Sequence, residues 1–209
     1  VAWEVLDSEY VFKRPWLTAR RDHVKLPTGA EINDFYVLEY PDFCNVVAIT
    51  KDNKFLMERQ YRHAQHLTAI EIPAGCVEKG ETPLEAAQRE LYEETGYGGG
   101  QWTKLMTISP NPGACNNYCH CYLALGVERV STQHLESTED IKMVFLEQDE
   151  VARMLDAVET GDALTEGQRR FHNATKKRDL AILSLFLGTG IRVSECVGID
   201  MDDLDFDVG

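Results

Sequence analysis

Short apolar or alternating runs mark the first half of the chain, at residues 24–26, 35–39, 45–50 and 55–61. Turn-forming clusters separate them: Pro27-Thr28-Gly29, Tyr40-Pro41-Asp42 and Lys51-Asp52-Asn53. This spacing predicts a meander of antiparallel strands. One long segment of helical period then interrupts the pattern. After Gly98-Gly99-Gly100, strands are predicted again over 103–109, 118–129 and 141–145. The layout is α+β, with strands dominant.

Beyond Glu147 the period becomes helical. Val151, Met154, Leu155 and Val158 recur at three and four residues, and Leu180, Leu183 and Leu187 do so after a charged stretch at 176–179. The change predicts a boundary near 141–146, giving a domain over 1–141 and a helical segment over 142–209. The helix expected over 148–159 could belong to either side.

The interrupting helix carries its own punctuation. Thr82-Pro83-Leu84-Glu85 has the form of a capping box, with Thr82 as N-cap, Pro83 at N1 and Glu85 at N3, and Gly96 suits the position just past the end. Ala86, Ala87 and Leu91 suit a buried face. Glu90, Glu93 and Glu94 share another face, one turn apart, where like charges at i, i+3 and i+4 repel by a few tenths of a kcal/mol per exposed pair. A divalent cation with oxygen ligands would offset that repulsion, and Arg89 could hold one carboxylate bidentately. A solvated acidic face is the alternative.

Charge changes the picture further. Asp and Glu number 35 against 21 Lys and Arg, a formal net charge of -14. Such a surface repels a nucleic-acid backbone at long range, so nucleic acid is not expected as a partner. Acting on phosphates would require cations between the carboxylates and the substrate, which directs attention to the clustered Glu residues. The apolar stretch around Leu180 to Leu187 is far shorter than the roughly 20 residues that cross a bilayer, and no signal-like segment opens the sequence, so a cytoplasmic protein is expected. The six cysteines lack paired CxxC spacing, and reduced thiols are expected. The cluster Cys115, Cys119, His120 and Cys121 lies where adjacent strand residues point to opposite faces, which disfavours a zinc site there.

The string from Gly75 to Tyr97, with Glu81, Arg89-Glu90-Leu91, Glu93-Glu94 and Gly96, resembles the Nudix box G-x5-E-x7-R-E-U-x-E-E-x-G-U, where U is apolar and Tyr97 fills the last position loosely. The resemblance implies a Nudix fold: a mixed sheet around a loop-helix-loop, with an N-terminal antiparallel strand layer. It implies a hydrolase that cleaves the diphosphate of a nucleoside diphosphate derivative with Mg²⁺ or Mn²⁺. By the same resemblance Glu90 and Glu94 are the main metal ligands, Glu93 is a further ligand or water holder, the Ala74 carbonyl completes the site, and Arg89 with Glu81 orients the carboxylates.

Arg59-Gln60-Tyr61-Arg62 followed by Glu71-Ile72-Pro73-Ala74-Gly75 is similar to the segments preceding the box in ADP-ribose pyrophosphatases. That likeness implies substrate contacts by Arg62 and Glu71, with ADP-ribose or a related nucleotide sugar as substrate. Those relatives usually carry a Glu in the turn after the box helix. Here the turn reads Ser109-Pro110-Asn111-Pro112-Gly113-Ala114-Cys115-Asn116-Asn117, without an acid. The loop Glu136 to Asp140 matches the position of their catalytic-base loop, so Glu139, and after it Glu136, is the candidate base. The same relatives are commonly homodimers, in which aromatics such as Trp3, Tyr10, Trp16 and Phe35 could seal an interface or stack on a base. A nucleotide-binding module without turnover is the alternative from a different class.

Residues 144–206, above all Lys177 to Glu195, resemble the opening of a tyrosine recombinase (phage integrase) catalytic domain, with Arg192 at its phosphate-contacting position. The family's later His-x-x-Arg pair and nucleophilic Tyr fall beyond Gly209, so recombination is not expected from this segment alone. A DNA-binding integrase fragment joined to a Nudix domain is the third reading.

Overall fold

The computed structural model describes residues 1–153. Residues 148–153 open the helix expected over 148–159, and the rest of that helix, the apolar helix around 180–187 and Arg192 lie outside the described residues. The described part divides into two compact units, one formed by residues 1–42 with 108–119 and the other by 43–107 with 120–153.

The first unit is built on a three-stranded antiparallel sheet of β1 (Glu4–Arg14), β2 (Leu17–Lys25) and β3 (Glu31–Glu39), in the order β1-β2-β3. β1 is exposed along its whole length, including Val5, Leu6, Tyr10, Val11 and Phe12. Of the aromatics singled out in the sequence, Trp3 and Phe35 meet edge to face with ring centroids 5.7 Å apart, whereas Tyr10 and Trp16 are exposed. The acid-free turn also belongs here. Ala114 and Cys115 donate back to the Asn111 carbonyl, Leu38 N–H donates to the Ala114 carbonyl at 2.7 Å, and the Asn117 amide donates to the Pro41 carbonyl.

The second unit holds β4 (Phe43–Thr50), β5 (Phe55–Arg62), a 3₁₀ turn at His63–Gln65, β6 (Leu67–Glu71), β7 (Ala74–Cys76), α1 (Pro83–Thr95), β8 (Tyr97–Gly98), β9 (Gln101–Ile108), β10 (Cys119–Arg129) and β11 (Ile141–Leu146). Its sheet runs β11-β5-β4-β10-β8, with β6 on β5, β7 on β4 and β9 on β10. The α+β class and the helix α1 among the strands follow the sequence expectation.

Local chemistry explains the helix limits. Thr82 Oγ1 accepts from the Glu85 N–H while the Glu85 carboxylate accepts from the Thr82 N–H, so both halves of the capping box are made. Gly96 ends the helix in the left-handed region at φ 74. Ala86, Ala87 and Leu91 are completely buried against Val46, Ala48, Leu56, Tyr122, Ala124 and Val127, which fixes the opposite, glutamate-bearing side of α1. β11 pairs with β5 from Ile141–Gln60 through Leu146–Phe55. No helix among the described residues is long and apolar enough to cross a membrane.

Candidate functional site

The sequence-predicted site residues within the second unit converge on α1 and the strands beside it. Arg89 lies at their centre. Its guanidinium donates to Glu81 through Nη2 at 2.8 Å and Nε at 3.1 Å, to Glu90 at 2.9 Å, to Glu93 at 3.1 Å and to the Cys76 carbonyl at 3.0 Å. One planar cation therefore ties the start of the box loop to three carboxylates of the motif, a task suited to the forked geometry of Arg. The Glu81 carboxyl is held below its ordinary range chiefly by this hydrogen bond. Glu81 Oε1 also accepts from the Glu78 N–H at 2.6 Å.

Glu90 and Glu94 are the more buried members of the set. Gly75 makes room for Glu90: a Cβ at position 75 would stand 2.0 Å from the Glu90 carboxyl carbon. Burial pushes the Glu90 carboxyl up, opposed by the charge of Arg89. Glu94 accepts from the Ala74 N–H at 3.2 Å, so Ala74 contributes a backbone contact to the site through its amide. Burial, then the neighbouring charges of Glu58 and Glu90, push the Glu94 carboxyl up as well. The charge of Glu139 is felt at both Glu90 and Glu94, while its carboxylate accepts from the Glu136 N–H at 2.8 Å. Glu136 itself is exposed.

Arg62 and Glu71 form a pair of their own. Arg62 Nε donates to both carboxylate oxygens of Glu71 at 3.0 Å, and Nη2 bonds to the same group. The β5–β6 register puts Glu71 opposite Glu58.

Two residues escaped the sequence reading. Glu58 is 4% exposed, and its carboxyl neighbours that of Glu94. Its signal was an acid interrupting the apolar run Phe55-Leu56-Met57, on the same face as the core residue Leu56. Gln133 donates its side-chain amide to the Glu94 carbonyl at 2.6 Å and to the Ile141 carbonyl at 3.2 Å, and nothing in the local sequence distinguishes it from a solvated loop residue.

The donor set suits a hard divalent cation, because carboxylate oxygens dominate it and Glu58 Oε1 is buried without an N–H or O–H donor. As the side chains stand, no three His, Cys, Asp or Glu among the described residues are gathered to hold a metal ion. Glu90 and Glu93 are turned to Arg89.

Three family models match the chain: the nucleoside diphosphate sugar hydrolase N-terminal domain over residues 3–38, the NUDIX domain over 42–165, and the phage integrase family over 144–209. The chain is similar to the methanol dehydrogenase activator of Bacillus methanolicus, 33% identical over 153 residues that cover 73% of this chain and 82% of the relative. It is 29% identical to an ADP-ribose pyrophosphatase of Bacillus subtilis over 163 residues, 78% of this chain and 88% of that protein. The crystal structure of an ADP compounds hydrolase shares the fold with a TM-score of 0.65 at 20% identity, covering 88% of this chain and 94% of that one.

Proposed function

Because the chain belongs to the NUDIX domain family, we propose that it hydrolyses the diphosphate bond of a nucleoside diphosphate derivative, ADP-ribose or a related nucleotide sugar, with Mg²⁺ or Mn²⁺. The observation that carries this reading is the Arg89 fork, which holds Glu81, Glu90 and Glu93 together beside Glu94. A bound divalent ion would neutralise the diphosphate oxygens and acidify a water molecule.

The chain's own residues then divide the work. Glu90 and Glu94 hold the cation, with Glu93 and the Ala74 carbonyl as further ligands. Arg89, anchored by Glu81, keeps the carboxylates oriented. Glu139 takes the proton of the attacking water, and its influence at Glu90 and Glu94 supports that assignment. Arg62, held by Glu71, is set to meet a substrate phosphate. Water adds to one phosphorus, the bridging oxygen leaves with the other, and two monophosphates result.

The assembly we propose is a homodimer joined through the three-stranded sheet, whose outer strand exposes Val5, Leu6, Tyr10, Val11 and Phe12. A cytoplasmic setting, where nucleotide sugars and Mg²⁺ are available, belongs to the same proposal. We place the limit of the hydrolase domain after β11 rather than before it, a choice supported by the pairing of that strand with β5. The integrase-like residues beyond β11 have no part in the reaction we propose.

The test is phosphate release, coupled to a phosphomonoesterase, from a panel of nucleoside diphosphate sugars and dinucleotides. Turnover of at least one compound with Mg²⁺, abolished by Glu94→Gln, is expected. A flat panel would leave a binding module and remove the enzyme reading.

A further inference from the structure

Glu58 occupies a place in β5 that the fold gives to the core. Leu56, two residues earlier on the same face, is completely buried against α1. A carboxyl group continuing that face costs stability unless something neutralises it. Arg62, whose charge reaches Glu58, grips Glu71, and Arg89 grips Glu81, Glu90 and Glu93. Across from Glu58 stand only Glu71 on β6 and Met143 on β11. Its carboxyl instead meets that of Glu94, and Oε1 is buried with no N–H or O–H donor. Two carboxyls in contact away from water need a shared proton or a shared cation between them. Glu94 already commits Oε2 to the Ala74 N–H and has Glu90 as a charged neighbour. A third acid here is better matched by a divalent ion than by a single proton.

We propose that Glu58 is a further carboxylate ligand of the divalent cation held by Glu94, extending the metal site from α1 onto strand β5. The inference rests on the metal-dependent reading of the same site. It makes the ion a bridge between the helix and the central sheet, and it places one ligand outside the Nudix box altogether.

Binding of Mn²⁺ to the full chain, followed by the electron paramagnetic resonance signal of the free ion, tests this without any substrate. Glu58→Gln, which keeps the shape and removes the charge, should weaken Mn²⁺ binding roughly tenfold or more. Glu58→Asp should recover part of that loss. Circular dichroism establishes that each variant is folded. Equal Mn²⁺ affinity in wild type and Glu58→Gln would overturn the proposal and leave Glu58 a proton-sharing core acid. If the wild-type chain itself takes up no Mn²⁺, the metal-dependent reading falls, and this inference with it.

Discussion

Gly75 and Glu90 occupy almost the same space. A Cβ added at Gly75 would lie 2.0 Å from both the carboxyl carbon and Oε1 of Glu90, and 2.3 Å from Oε2. The glycine is required by this side chain and not by its backbone, since its φ is outside the left-handed region. Gly75→Ala should therefore displace the Glu90 carboxylate while leaving the strand intact. We expect turnover to fall by roughly a hundredfold, in line with the cost of small displacements of a catalytic group. Overpacking should lower stability by about 1–3 kcal/mol. Steady-state kinetics beside a denaturant melt separates the two, and unchanged turnover would show that Glu90 has no fixed role.

Arg89 makes its contacts from two directions of one plane, to Glu81 on one edge and to Glu90 and Glu93 on another. Lysine offers a point charge and cannot reach both edges. Arg89→Lys should keep the net charge yet reduce kcat by roughly ten- to a hundredfold, because loss of an orienting partner typically costs that much. Restored activity in Arg89→Lys would mean that charge alone suffices.

Much of this site was legible because the helix announces itself. Thr82, Glu85 and Gly96 are local signals whose chemistry acts over a few residues, and the structure forms each of them. The glutamate face was legible for the same reason, since helical period places Glu90, Glu93 and Glu94 together without reference to the rest of the chain. Strands β1, β6 and β7 were not readable from periodicity. β1 is exposed throughout, so no alternation of burial marks it, and β7 is only three residues long. Glu58 and Gln133 were missed because their roles arise from partners 36 and 39 positions away, at Glu94, and sequence spacing carries no record of such contacts.

The buried acids make stability depend on pH. In the folded chain Glu58 is pushed up to about 8 and Glu94 higher still, above the ordinary glutamate value of 4.5, chiefly by burial. A raised folded-state value means that the folded chain binds the proton more tightly than the unfolded chain. The stability contributed is full below pH about 4.5 and is lost as pH rises through the folded values. Without metal, Tm should decline between about pH 5 and pH 10. Millimolar Mg²⁺ should flatten that decline by replacing the proton, and chelation should restore it. Thermal scans with and without chelator check this, and a Tm that rises with pH in the chelated protein would contradict it.

The acidic loop is closed by a single amide. Gln133 donates to the Glu94 carbonyl at the end of α1 and to the Ile141 carbonyl at the start of β11, so both ends of the segment carrying Glu139 are held by one side chain. The neighbouring His134 N–H donates to the Glu93 carbonyl at 2.7 Å, and the His134 ring stacks on Tyr92 with centroids 5.2 Å apart. The loop therefore remains docked on the helix if Gln133 is altered, but its far end is released. Gln133→Leu keeps the side-chain volume, removes the donor and leaves two carbonyls without this partner, costing about 1–3 kcal/mol. Because Gln133 acts only by placing Glu139, we expect kcat to fall roughly tenfold with KM nearly constant. Equal losses in kcat and in folded fraction would reduce Gln133 to a structural brace.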